Sequence, residues 1–390
     1  MMGKYVKVSL GECCEIISGA TPKISVEAYW DGELYWVTPK DLSNLGVPYI
    51  ADTPRKITEA GLRSCAARLL PTGSVLLSSR APIGHVAINK LPMATNQGFK
   101  SLIPDPLKVD AKYLYYWLRA NRSYLESLGN GATFKEVSKE VVSRVEILLP
   151  EIMEQRRIAE ALDQSEALRT KRRGTLFQLA ELIHSIFLDM FGDPVRNTKN
   201  FPLVKLGGLT KIGNGSTPSR KSPEYFDGKI PWVKTAEVRG GLITDTEEKI
   251  SEKARSVTRC KIYPRGSILI ALYGQGKTRG KCAILGIDAA TNQACAVLSP
   301  SPAYETWFLF TQLDMAYLRL RALGRGGNQA NLNLRMIADF EVILPPLDIQ
   351  RNFAYCVETI EDLKASHRAH LVELDALFAS LQYRAFRGEL

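Results

Sequence analysis

The chain has 390 residues, enough for two ordinary domains of about 150 residues each. Apolar residues make up 45% and charged residues 24%, a globular composition that excludes whole-chain disorder and any collagen-like or low-complexity protein. Lysine and arginine outnumber aspartate and glutamate 51 to 41, and the resulting net charge of +10 favours a polyanionic partner, nucleic acid foremost.

The opening, MMGKYVKVSLGE, holds no apolar run of signal-peptide length, and no run of about 18 apolar residues occurs anywhere, so a cytoplasmic protein with no membrane partner is expected. Short β-like runs follow at 74–79 (SVLLSS) and 85–90, punctuated by glycine and proline, with a helix-like stretch at 111–128. This mixed α/β region closes on VEILLP at 145–150. Residues 152–191 then run without a proline and with one glycine, Gly174, and are rich in strong helix formers. The same sequence of events recurs: a strand-like run at 267–272, a close on EVILPP at 341–346, and a second stretch, 347–386, with neither proline nor glycine.

The recurrence is literal. Leu10-Gly11 matches Leu206-Gly207, Gly19-x-Thr21-Pro22 matches Gly215-x-Thr217-Pro218, and Tyr29-Trp30-Asp31-Gly32 matches Tyr225-Phe226-Asp227-Gly228, all 196 residues apart. Pro71-x-Gly73-Ser74 returns as Pro264-x-Gly266-Ser267 at 193, Ala94-Thr95-Asn96-Gln97 as Ala290-Thr291-Asn292-Gln293 at 196, and Gln155-Arg156 as Gln350-Arg351 at 195. Order is kept throughout, so the chain is a tandem duplication.

Both helical stretches carry apolar residues at alternating steps of 4 and 3, the pattern of a coiled-coil seam. The first seam runs Ile158, Leu162, Leu176, Leu179, Ile183 and Ile186; the second runs Phe353, Val357, Ile360, Leu371, Leu374, Phe378 and Leu381. Each helix would be about 60 Å long and cannot bury its stripe alone, so the two are expected to pair with each other. Arg169, Arg172, Lys364 and His367 interrupt the seam, with Glu166, Glu361 and Asp362 as candidates to neutralise them. Two diverged globular units on a rigid spacer suit a reader of two unlike half-sites at a fixed distance.

The duplication, the Gly-x-Thr-Pro and Ala-Thr-Asn-Gln segments, the Leu-Pro entry to each long helix and the ending Arg384-Ala-Phe-Arg-Gly-Glu-Leu390 resemble the specificity subunits of type I restriction-modification systems, over essentially the whole chain. The resemblance implies an α+β protein: target recognition domains at 1–150 and 194–346, and long spacer helices at 151–193 and 347–390 forming an antiparallel coiled coil. It implies double-stranded DNA as a partner, two methyltransferase subunits docked on the helices, and restriction subunits that join them in defence against foreign DNA. Adenine would be the methylated base. S-adenosylmethionine, ATP and magnesium would sit on those partner subunits, with no cofactor in this chain. One departure is the helix entry, where Met153-Glu154-Gln155 becomes Asp348-Ile349-Gln350.

The residues agree that the chain is not an enzyme. An amino-methyltransferase needs an Asp/Asn/Ser-Pro-Pro-Tyr/Phe loop, whereas Pro345-Pro346 is flanked by Leu344 and Leu347. Phe-x-Gly-x-Gly is absent too. Gly274-Gln275-Gly276-Lys277-Thr278 imitates a phosphate-binding loop, but the pattern needs glycine where Ala271 stands, and 279–285 reads as a strand where a helix is required. The seven cysteines include no Cys-x-x-Cys and the four histidines show no ligand spacing, so neither disulfides nor a metal site is expected.

For DNA contacts, basic and amide side chains on loops that differ between the repeats are the candidates. These are Thr21, Lys23, Lys40, Arg80 and Lys135 in the first half. In the second they are Arg220, Lys221, Lys234, Gln275, Lys277, Arg279, Arg325, Asn328 and Asn331. The shared pairs Asn96-Gln97 and Asn292-Gln293 are expected to satisfy buried backbone. The rival to a DNA reader is a coiled-coil scaffold joining two protein-binding modules.

Overall fold

The structure, a computed structural model, describes residues 5–43, 45–80, 82–131, 135–258, 260–274, 276–324 and 331–389. It divides into two compact units: 1–173 with 369–390 (unit 1), and 174–368 (unit 2). Each unit takes one half of each long helix.

Unit 1 is built on a five-stranded sheet in the order Cys14–Ser18, Lys100–Pro104, Val75–Ser79, Ile83–Asn89, Tyr49–Ile50. A three-stranded sheet places Trp30–Val37 between Lys56–Ile57 and Met93–Thr95, and Val6–Ser9 pairs with Glu146–Leu149. Val75–Ser79 is buried at every position, as a central strand covered on both faces must be. The expected helix at 111–128 is two helices, Ala111–Ala120 and Arg122–Ser127, broken at Asn121, whose φ of −99° and ψ of 21° leave the helical region. Asp110 caps the first of them, accepting from the Lys112 and Tyr113 amides.

Unit 2 repeats the plan strand for strand. Its five-stranded sheet runs Ile212–Asn214, Cys295–Leu298, Ile268–Ala271, Cys282–Leu285, Leu242–Ile243, and Ile230–Val233 lies between Glu248–Ile250 and Ala290–Thr291.

The long helices span Ile152–Phe191 and Leu347–Ala385. The repeated glutamine near each helix start acts as a bracket. Gln155 is 1% exposed; it accepts from the Asp110 amide at 2.8 Å and donates to the carbonyls of Lys108 and Pro150, both at 2.9 Å. Gln350 repeats this, accepting from the Glu305 amide at 3.0 Å and donating to the Pro345 carbonyl at 2.7 Å. One buried side chain thus ties helix start, sheet exit and capping loop together. Gln155→Ala leaves three backbone groups without this partner, one of them buried, and should cost unit 1 about 2 kcal/mol. Hydrogen exchange of the 108–118 and 152–162 amides reads that cost, and a loss under about 1 kcal/mol would mean the bracket is redundant.

Among the described residues no helix is long and apolar enough to cross a membrane, and no cluster of histidine, cysteine and carboxylate side chains is placed to hold a metal.

Candidate nucleic-acid interface

The repeated motifs converge on one turn in each unit. In unit 1, Trp30–Val37 and Met93–Thr95 run parallel, with Trp36 beside Ala94 and Val37 beside Thr95. The chain then turns at Asn96, whose side-chain oxygen accepts from the Gly98 amide at 2.9 Å. Across this turn lies the Gly-x-Thr-Pro segment. The Ala20 amide donates to the Thr95 carbonyl at 2.9 Å, and the Trp36 indole donates to the Ala20 carbonyl at 3.1 Å. A Cβ at Gly19 would stand 1.9 Å from the Asn96 carbonyl oxygen, so only glycine lets the two segments cross.

Unit 2 repeats the crossing, with the glycine set against the threonine in place of the asparagine. The Ser216 amide donates to the Thr291 carbonyl at 2.9 Å, Trp232 donates to the Ser216 carbonyl at 3.0 Å, and a Cβ at Gly215 would meet the Thr291 oxygen at 1.8 Å. Asn292 closes the turn on the Ala294 amide at 3.2 Å. The expectation that the Asn-Gln pairs satisfy backbone therefore holds for Asn96 and Asn292. Gln97 and Gln293 are exposed, and each accepts a hydrogen bond from a threonine hydroxyl of the crossing segment, Thr21 and Thr217 respectively.

The unit 1 candidates gather round this turn. Thr21 and exposed Lys23 lie on the crossing segment, and exposed Lys40 on the helix Pro39–Ser43. Pro39 packs where a side chain at Gly98 would go. The Ser79 amide donates to the Gly98 carbonyl at 2.8 Å, which brings in exposed Arg80. Arg80 faces Glu136 at 3.8 Å, beside exposed Lys135; Glu136 also holds Lys100 at 3.1 Å.

In unit 2 the surroundings differ. Arg220 is bonded to Glu248 at 2.6 Å, and Lys234 to Glu247 at 2.8 Å and Glu248 at 2.9 Å. The Arg220 hydrogen bond holds the Glu248 carboxyl below its ordinary range, and the Glu247 hydrogen bond raises the Lys234 ammonium. Lys221 and Lys277 are exposed, Arg279 is half-buried, and half-buried Asn331 precedes Leu332, whose amide donates to the Leu272 carbonyl at 3.0 Å. Gln275, Arg325 and Asn328 lie outside the described residues. The Gly-Lys-Thr imitation enters turns and then the strand Cys282–Leu285, where a phosphate-binding loop would lead directly into a helix.

Sequence reasoning missed Arg55. Its guanidinium lies 3.9 Å from the centroid of Trp30 and 5.2 Å from that of Trp36. Arg220 lies 4.2 Å from Phe226 and 5.4 Å from Trp232, the equivalent rings of unit 2. The two arginines come from unrelated chain positions. Thr53 and Thr246 occupy matching places, each accepting from the tryptophan amide at 3.3 Å, which aligns Arg55 with Glu248 and leaves Ile24 opposite Arg220. A repeat search cannot detect such a pair.

On the helices, within unit 1, Ile158, Leu162 and Phe378 are buried in one core with Leu381 packed against it, and Leu371 and Leu374 are half-buried. Within unit 2, Ile183, Phe353, Val357 and Ile360 share a core with Leu179 and Ile186 packed against it, and Leu176 is half-buried. Two of the seam's basic residues are paired with carboxylates within their own units. Arg169 bonds Glu166 and Asp375, both at 2.6 Å, and lies over the Phe378 ring; Lys364 bonds Glu361. Asp375 takes the part considered for Asp362, which is exposed.

The profile described as the type I restriction modification DNA specificity domain matches this chain twice, over residues 2–176 and 198–375. The chain belongs to that family. As a specificity subunit it carries two such domains in tandem, an arrangement that fits a two-part DNA site. The type I restriction enzyme MjaIX specificity subunit of Methanocaldococcus jannaschii is 29% identical over 396 aligned positions, which cover 96% of this specificity subunit and 91% of that one. The EcoR124I/EcoR124II specificity subunit of Escherichia coli is 27% identical over 41% of this chain and 40% of its own. Among solved structures, the crystal structure of the type I restriction-modification S subunit from M. genitalium superposes with a TM-score of 0.63 at 14% identity, covering 98% of this chain and 96% of that chain. A structure from a study of complex assembly and conformational transition of the type I system superposes at 0.55 and 20% identity, covering 99% and 98%. These superpositions establish the shared fold of the specificity subunit.

Proposed function

We propose that this specificity subunit is non-catalytic and binds an asymmetric, bipartite DNA sequence, one half-site per globular unit, with the long helices setting the unread gap. It seats two copies of a methyltransferase subunit, and restriction subunits join that assembly. S-adenosylmethionine, ATP and magnesium belong to those partners in this reading. Thr21, Lys23, Lys40, Arg80 and Lys135 are the contact set of unit 1, and Arg220, Lys221, Lys234, Lys277, Arg279 and Asn331 that of unit 2, among the described residues.

The observation that carries the reading is the duplicated polar turn, bordered in each unit by exposed polar and basic side chains that differ between the copies. An unchanged frame with changed surroundings is what two readers of unlike half-sites need. Two equivalent docking surfaces are supported by the helices. Leu168, Val372, Leu377 and Tyr383 of unit 1 are exposed, and residues 195 positions away in unit 2 (Leu363, Phe177, Leu182 and Leu188) are exposed as well. All eight lie between 44% and 69% exposed, and the same positions recur in both copies, as two equivalent docking surfaces need.

Long-read detection of modified bases tests this directly, in cells carrying the gene with its methyltransferase partner and in cells with this gene alone deleted. Loss of one split motif with unlike halves and a fixed gap is expected. If the motif survives the deletion, the chain does not supply the specificity.

A further inference from the structure

We infer that Thr21–Gln97 with Arg55 in unit 1, and Thr217–Gln293 with Arg220 in unit 2, are phosphate anchors that hold each unit in register on the duplex without reading bases. The inference rests on the DNA reading proposed above and assigns these side chains a role within it.

Three observations lead to it. First, the Thr–Gln pair is identical in two units whose surrounding polar residues differ. What two readers of unlike sequences keep in common cannot encode either sequence, but both meet the same phosphate backbone. Second, the hydrogen bonding of the amide is one-sided. Each threonine hydroxyl donates to the glutamine oxygen, so the rotamer is fixed and the acceptor end is engaged. The two Nε2 donors of each glutamine have no partner among the described residues and lie on an exposed side chain. Reading adenine with glutamine requires oxygen and nitrogen together, whereas a phosphate needs only donors.

Third, a guanidinium accompanies the pair in both units, although the chain supplies it from different places. The Trp36 and Trp232 indoles hold the crossing segment that bears the threonine, and the same rings carry Arg55 and Arg220. Stacking on a ring fixes the guanidinium plane and leaves its edge free to donate to a phosphate. The recurrence at one place from two unrelated positions indicates that the place requires a cation. The charges nevertheless differ. Arg55 has no carboxylate partner among the described residues, whereas Arg220 is bonded to Glu248 at 2.6 Å. Unit 1 therefore presents a charged anchor and unit 2 a largely neutralised one.

The experiment measures binding of the full chain, assembled with its methyltransferase subunits, across a salt series. One duplex carries the methylated motif and a second has both half-sites scrambled. Gln97→Ala and Gln293→Ala should each weaken binding to both duplexes by about tenfold, with no change in salt slope, because a neutral donor releases no counterion. Gln97→Glu still accepts from Thr21, so it keeps the local fold, yet it should bind more weakly than Gln97→Ala because a carboxylate then faces phosphate. Arg55→Ala should reduce the slope of log affinity against log salt by about one unit, and Arg220→Ala by clearly less.

Loss of discrimination between the duplexes in a glutamine variant, or a changed methylated half-site, would make these residues base readers and overturn the inference. Loss of methyltransferase association at unchanged DNA affinity would make them a protein contact and overturn it equally, as would unchanged affinity throughout. Wild-type complex that binds the two duplexes alike would remove the DNA reading itself, a result visible before any variant is examined.

Discussion

Phe353→Ala should cost unit 2 about 4 kcal/mol, the range for deleting a fully buried phenylalanine. Phe353 is 0% exposed and stands edge-on to Phe187 at 5.4 Å and to Phe191 at 5.5 Å. Both partners also touch Phe308, at 5.6 and 4.8 Å. The four rings join the first long helix, the second long helix and the helix Thr306–Met315 at a single point. Removing one ring leaves a cavity that three stiff elements cannot close together. Hydrogen exchange should accelerate at 183–191 and 347–360, while 152–162 in unit 1 exchanges as before. Phe353→Leu should recover more than half of the loss. A change below about 1 kcal/mol would mean the rings do not form one packed cluster.

A paired deletion of 170–176 and 365–371 should shorten the unread gap in the recognised DNA by about three base pairs and leave both half-sites intact. Seven residues are about 10 Å of helix and two turns of a 3.5-residue seam, so the register survives. Both excised blocks lie 195 residues apart, and the pairs beyond them (Arg169 with Asp375, Phe187 with Phe353) keep their partners. Ten ångströms correspond to about three base pairs at 3.4 Å each. The readout is the methylated motif by long-read sequencing. A changed half-site with an unchanged gap would end the role of the helices as a spacer. Deleting either block alone breaks the matched pairing and should abolish methylation.

Much of this was legible in the linear chain because duplication writes the same constraint twice. Gly19 and Gly215 recur because a Cβ at either place would collide with the turn that follows the parallel strand. Gln155 and Gln350 recur because the same backbone groups need a partner in each unit. The long helices were evident from their lack of proline and from the 4-3 apolar spacing; the structure starts them at Ile152 and Leu347 and ends them at Phe191 and Ala385, short of the expected 193 and 390. These features are local or periodic, and local chemistry is visible in order along a chain.

Tertiary structure decided what depends on two sides of an element at once. The seam expected at Ile186 runs beside Phe187, which is fully buried while Ile186 is only partly so. A 4-3 stripe describes the face turned to a partner helix, whereas Phe187 and Phe191 also pack on Phe308 of the globular part. Sequence spacing does not point to Asp375 as the partner of Arg169, because the two are 206 residues apart and meet only once the helices pair. Arg55 and Arg220 reach matching rings from unmatched positions, so no alignment of the halves relates them. Sequence by itself determined the duplicated frame, the long helices and the basic character of the chain. Which cations are held by Glu248 and which side chains engage Gln97 and Gln293 were decided by the fold, because each depends on side chains from segments distant in the chain.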